Sequence, residues 1–139
     1  MIEKQEFYHG AAIIKLLEDV RCHDIKKHEH GFVVNGDVFI FLKYRTKSRS
    51  PWNFNLDSVD LQNIRSCISD FKQIIVVFIC GGDGVCPILW QDIERILLGN
   101  PGWVSVRRSF NQQYGVEGSG CGLKGKISLR EWPQIAFSG

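Results

Sequence analysis

Phe32-Val33-Val34-Asn35-Gly36-Asp37-Val38-Phe39-Ile40-Phe41-Leu42 is the stretch that decides the fold class. Two apolar runs meet at Asn-Gly. A two-residue hairpin turn needs positive φ at both central positions, which Asn and Gly tolerate, so the stretch reads as a β-hairpin. Its second arm is apolar at every position from Val38 onward. Both faces of that strand therefore need cover, which places it inside a sheet. Ile74-Ile75-Val76-Val77-Phe78-Ile79-Cys80 is short, β-branched and unbroken, and reads as a second buried strand. Gly81-Gly82-Asp83-Gly84 turns it toward a return arm at 85–89.

Helical patterns lie between these strands. Residues 3–20 predict a first helix, with Phe7, Ala11, Ile14 and Leu17 at helical spacing as the stripe expected to face the core, widened by Gly10, Ile13 and Val20. The polar segment 21–30, rich in His and Lys, reads as a loop. Ser50-Pro51-Trp52-Asn53 reads as the break after the first hairpin. Asp57 is a good N-cap for a second helix over 58–70, with Leu61, Ile64, Ile68 and Phe71 facing inward. A third helix over 90–98 is stopped by Gly99-Asn100-Pro101. Residues 103–110 and 114–117 suggest another strand pair, the glycine-rich segment 118–125 a loop, 126–129 a short strand, and the apolar tail 132–137 a docked end. The expected order is helix–hairpin–helix–hairpin–helix–hairpin. That order describes an α+β single domain over 1–139 around a mostly antiparallel or mixed sheet.

Composition narrows the class further. With 139 residues, 44% apolar content and a net charge of +2, disorder is excluded. A chain this long removes roughly 68% of its unfolded surface from water and needs no disulfide or metal to fold. The longest apolar run, Ile74 to Cys80, is far short of the ~20 residues of a membrane-spanning helix, so no membrane partner is expected. The opening residues are charged and the five cysteines are irregularly spaced without a CxxC pair, from which a reducing, cytoplasmic setting is expected.

Three constellations carry chemistry. In Lys43-Tyr44-Arg45-Thr46-Lys47-Ser48-Arg49 the cations occupy alternate positions, so an extended strand would project Lys43, Arg45, Lys47 and Arg49 from one face, roughly 6.6 Å apart. No acid occurs between Asp37 and Asp57, and Trp52 and Phe54 follow as candidate stacking surfaces. The pattern suits a nucleic-acid backbone or an acidic protein partner. It equally suits a solvated edge strand, where charge discourages aggregation. The second constellation is His23, Asp24, His28 and His30, whose spacing allows an open metal site but is also that of an ordinary polar loop. The third combines Asp37, Asp83 and Lys43, the residue types of a metal-dependent nuclease or phosphodiesterase. Such enzymes place an acid two residues before the lysine, and here Phe41 stands there. For Asp83 the plain reading is Asp-Gly turn chemistry.

No nucleotide-binding glycine loop and no nucleophile-elbow motif is present, and Cys121 in its glycine segment has no signal tying it to a histidine. The sequence therefore predicts a cofactor-free binding module, leaning away from catalysis, that contacts nucleic acid through the basic strand. The alternatives are the nuclease and a self-associating interaction domain, a homodimer for example, since the 12% aromatic content suits an interface as well as a core.

Overall fold

The computed structural model describes residues 1–138. In chain order the elements are α1 (Lys4–Leu17), β1 (Ile25–Lys27), β2 (Phe32–Val34), β3 (Val38–Arg45), β4 (Trp52–Leu56) and α2 (Ser58–Arg65). Then follow β5 (Gln73–Cys80), β6 (Gly84–Leu89), α3 (Trp90–Leu97), β7 (Gly102–Arg107), β8 (Gly115–Gly118), α4 (Glu131–Gln134) and a 3-10 turn (Ile135–Phe137). The α+β class holds, but the alternation of helices and hairpins does not. The strands form two sheets, one of five strands in the order β1-β2-β3-β5-β6 and one of three in the order β4-β7-β8.

Every pair in the larger sheet is antiparallel except β3 and β5, which run parallel in register from Val38 opposite Gln73 to Arg45 opposite Cys80. These two strands are the apolar runs of the sequence, and both of their faces are covered. On one side Phe39, Phe41, Val76 and Phe78 meet the smaller sheet, α2 and α3. On the other Ile40, Leu42, Ile75 and Val77 meet α1 and the docked C-terminal tail. The Asn35-Gly36 turn joins β2 to β3 with φ of 52° and 77°, as read from the sequence. Asn35 has a further task. Its side chain accepts from the amides of His23 and Asp24 and donates to the Arg21 carbonyl, which fastens the incoming chain to the hairpin.

Several expectations need correction, among them the short strand over 126–129, where only an isolated bridge from Ile127 to Tyr114 forms. The segment 21–30 is not all loop, because Ile25–Lys27 adds a short strand to β2. Trp52-Asn53-Phe54-Asn55-Leu56 is not a break but β4, which alternates buried and exposed residues and pairs with β7 in the second sheet. The second helix ends at Arg65, five residues early, and Ile68 is left exposed while Phe71 stacks on Phe39 at 5.5 Å.

The first helix faces the opposite way from expectation. Ala12 and Leu16 are its buried residues, and Tyr8 on the same side stacks on Tyr44 of β3 at 5.2 Å. Phe7, Ile14 and Leu17 are 62%, 51% and 58% exposed. The helix carries two apolar stripes, and the one through Tyr8, Ala12 and Leu16 packs on the sheet. Gly10 sits in the outward stripe. An interior helical glycine costs about 1 kcal/mol relative to alanine, yet a Cβ at Gly10 would meet nothing within 4 Å.

Candidate functional site

The alternating cations do not share one ribbon. The strand ends at Arg45, and residues 46–51 form a folded loop. The Gly81 amide donates to the Arg45 carbonyl, the Trp52 indole donates to the Lys47 carbonyl at 2.8 Å, and the Lys47 ammonium turns back to the Pro51 carbonyl. Lys43 is held by Asp60 of α2 at 2.8 Å. Trp52 and Phe54 are only 2% exposed, because β4 turns both into the core between the sheets, so neither is available to stack on a base. Arg45, Lys47 and Arg49 remain solvent-exposed.

The nuclease set is pulled apart. Asp37 precedes β3, while Asp83 follows β5. Because those strands run parallel, the two carboxylates lie at opposite ends of the sheet, about 25 Å apart at ~3.3 Å per residue. Lys43 is engaged by Asp60, so Asp37, Asp83 and Lys43 do not come together in one site. In the histidine set, His28 and His30 stay neighbours, with ring centroids 6.0 Å apart, and both are taken up in local contacts. His28 lies edge-on to Phe39 and Phe71 and accepts from the His30 amide through Nδ1, while His23 is exposed. Among the described residues no group of three or more His, Cys, Asp and Glu side chains could hold a metal ion. Cys121 is exposed and its thiol contacts the Arg95 carbonyl, whereas burial pushes the Cys80 and Cys86 thiols up, away from the thiolate form.

Asp83 turns out to organise one end of the molecule. The β5–β6 turn offers its carboxylate to both forks of Arg108, at 2.8 and 2.6 Å, and to the Tyr114 hydroxyl at 2.8 Å. Planar bidentate pairing of this kind is the strong form of an ion pair. The hydrogen bonds from Arg108 hold the Asp83 carboxyl below its usual value, assisted by the one from Tyr114. Burial, with Asp83 as hydrogen-bond partner, pushes the Tyr114 hydroxyl well up, so it stays a donor. The Arg108 amide donates to the Ser50 hydroxyl at 2.9 Å, which ties in the β3–β4 loop. Backbone hydrogen bonds between Tyr114 and Ile127 tie in the segment after β8. One acid thus anchors three loops to the end of the central sheet.

Gathering those loops gathers cations. The segments so tied carry Arg45, Lys47, Arg49, Arg107, Arg108 and Lys126. The two carboxylates among them, Asp83 and Glu117, are engaged by Arg108 and Arg107. Among the described residues, no carboxylate lies within ion-pair distance of Arg45, Lys47, Arg49 or Lys126. Phe110, at the tip of the β7–β8 loop, is 87% exposed. A groove of about 330 Å³ runs past Gly115 and Gly122 with Arg107 and Lys126 on its walls. Arg107, Arg108, Phe110 and Lys126 lie outside the basic run that the sequence offers. Arg107-Arg108 close to an aromatic is the local signal, but nothing in the sequence ties it to the loop after residue 45. Comparison with known protein families, with curated proteins and with solved structures finds no match for this chain.

Proposed function

We propose that this protein is a non-catalytic module that binds the phosphate backbone of nucleic acid through the loop end anchored by Asp83, with a preference for single strands. The observation that supports this reading is that four cations without an ion-pair partner among the described residues, Arg45, Lys47, Arg49 and Lys126, stand on the segments tied together at this end, where Phe110 is 87% exposed. Cations on separate loops form a patch rather than a stripe, and a patch neutralises phosphates by releasing their counterions. An exposed aromatic beside it stacks on an unpaired base, which a duplex does not offer. Arg107 and Arg108 are fixed by their carboxylates, so they contribute field and scaffold more than direct grip.

Fluorescence anisotropy with labelled single-stranded and duplex oligonucleotides, titrated with salt, tests this. Four phosphate contacts on a single strand predict that log Kobs falls with log salt at a slope near −3. The triple variant Arg45→Ala, Lys47→Ala, Arg49→Ala is expected to bind at least tenfold more weakly and to flatten that slope by about 2. Phe110→Ala is expected to weaken single-strand binding while leaving duplex binding alone. Equal binding by the triple variant and the parent protein would falsify the proposal, as would absence of binding at low salt.

A further inference from the structure

We propose that the outward stripe of α1 is a homodimer interface, in which α1 packs antiparallel against α1 of a second copy. The stripe is Phe7, Gly10, Ile14 and Leu17, on the side of the helix opposite the buried Ala12 and Leu16. Its spacing of three, four and three residues is the seam of a packed helix pair. Four features of the chain favour a second copy as the occupant.

The first is Gly10. Nothing in its own chain approaches the place where a side chain would stand, so the fold of one copy gives no reason for a helix-weakening residue there. A second helix supplies the reason, because a gap at Gly10 receives a bulky side chain from across the seam. The second is self-complementarity. In the antiparallel register that sets Phe7 against Leu17 of the second copy, Gly10 faces Ile14 of that copy, so large meets small on both sides of a two-fold axis. A parallel pair would set Gly10 against Gly10 and leave a void.

The third is charge. Lys4 and Glu18 lie on the same flank of the stripe, and among the described residues neither forms an ion pair. The same antiparallel register brings Lys4 of each copy opposite Glu18 of the other. The fourth is area. Phe7, Ile14 and Leu17, with Val20 93% exposed just beyond the helix, present on the order of 500 Å² of apolar surface, at the upper end for a lone monomer. Two such stripes bury roughly 1,000 Å², the size of a specific but reversible contact. Because Tyr8 stacks on Tyr44 near the cationic end, antiparallel helices leave the two basic ends pointing away from each other.

Sedimentation velocity of the full chain over roughly 1 to 100 µM tests the proposal. The expected result is a concentration-dependent monomer–dimer equilibrium with micromolar affinity. Ile14→Glu is expected to be monomeric throughout, with the circular dichroism of the parent protein and its per-copy affinity for oligonucleotides. Gly10→Ala separates dimer packing from helix strength. It is expected to raise the melting temperature of the dilute monomer and to weaken dimerisation fivefold or more. Lys4→Glu and Glu18→Lys are each expected to weaken the dimer, and the double variant to restore it. A parent protein that stays monomeric at the highest concentration overturns the proposal. So does a Gly10→Ala variant that dimerises as well as the parent, or a double charge swap that restores nothing.

Discussion

Replacing Asp83 with alanine removes the one carboxylate that holds the loop end together, and its effect can be worked from the geometry. Arg108 and Asp83 have side chains 17% and 18% exposed, so their pair is largely but not wholly shielded from water. A hydrogen bond to a charged group is worth about 1.5–3 kcal/mol when dry. The remaining water access brings each of the two Arg108 contacts down to about 1 kcal/mol. The Tyr114 side chain is fully buried, and its hydroxyl has no other acceptor among the described contacts. An orphaned buried hydroxyl adds about 1 kcal/mol. Arg108 keeps the carbonyls of Ser109 and Gln112, which limits the total. Asp83→Ala should therefore lose about 2–3 kcal/mol in urea unfolding, or about 7–10 °C in melting temperature for a chain of this length. Asp83→Asn keeps an acceptor for Tyr114 and should lose about half as much. Tyr114→Phe should lose about 1 kcal/mol, and the Asp83→Ala, Tyr114→Phe double variant less than the sum, since the two residues share a contact. A loss below about 0.5 kcal/mol for Asp83→Ala would refute the claim that this acid organises the end of the fold.

Further outcomes follow from other positions. Because the folded-state pKa of Asp83 is depressed, its stabilising share is complete above the ordinary carboxylate range and disappears as pH falls through the lowered value. The stability gap between the parent protein and Asp83→Asn should accordingly close on acidification from pH 5 toward pH 2 in urea melts; a gap that widens would contradict the assignment. Gly81 has φ of +55°, and a Cβ there would stand 2.1 Å from the Lys47 carbonyl oxygen. Gly81→Ala should thus cost at least about 2 kcal/mol and weaken oligonucleotide binding by displacing the 46–51 loop. Trp52→Phe removes the indole hydrogen bond to that same carbonyl and should cost about 1–2 kcal/mol by denaturant unfolding. If Trp52 were instead an exposed stacking residue, stability would be unchanged and only binding would fall. Asn35→Ala leaves the amides of His23 and Asp24 without their acceptor and breaks the turn conformation; it should lose about 1–3 kcal/mol, with faster amide exchange at residues 21–25.

The site was less legible than the core, and the difference is physical. Arg45, Lys47 and Arg49 stand out in the sequence as an unopposed basic run, and the structure leaves them exposed to solvent. Their supposed aromatic neighbours are buried, and the alternation in Trp52-Asn53-Phe54-Asn55-Leu56 already carried the period-two signature of a half-buried strand. Pro51 reads as punctuation in a sequence, and that reading hid the strand that starts immediately after it. The residue that ties the 46–51 loop down, Arg108, is some sixty residues away along the chain, and only the pairing of β4 with β7 brings it close.

What the sequence determined by itself was every element whose burial is a local matter. The Asn-Gly hairpin needed only two residues that tolerate positive φ, and β3 and β5 needed only unbroken apolar runs that no solvent-facing strand would carry. Tertiary structure decided the choices between equivalents. Helix α1 offers two apolar stripes, and only its packing on the sheet decides that the one through Ala12 and Leu16 is buried. Asp83 is compatible with a turn, a metal or an ion pair, and only the arrival of Arg108 and Tyr114 from the second sheet makes it an anchor. A residue's own chemistry limits what it can do, but which of those roles it takes is set by the non-local groups that desolvate it, pair with it or leave it open to water.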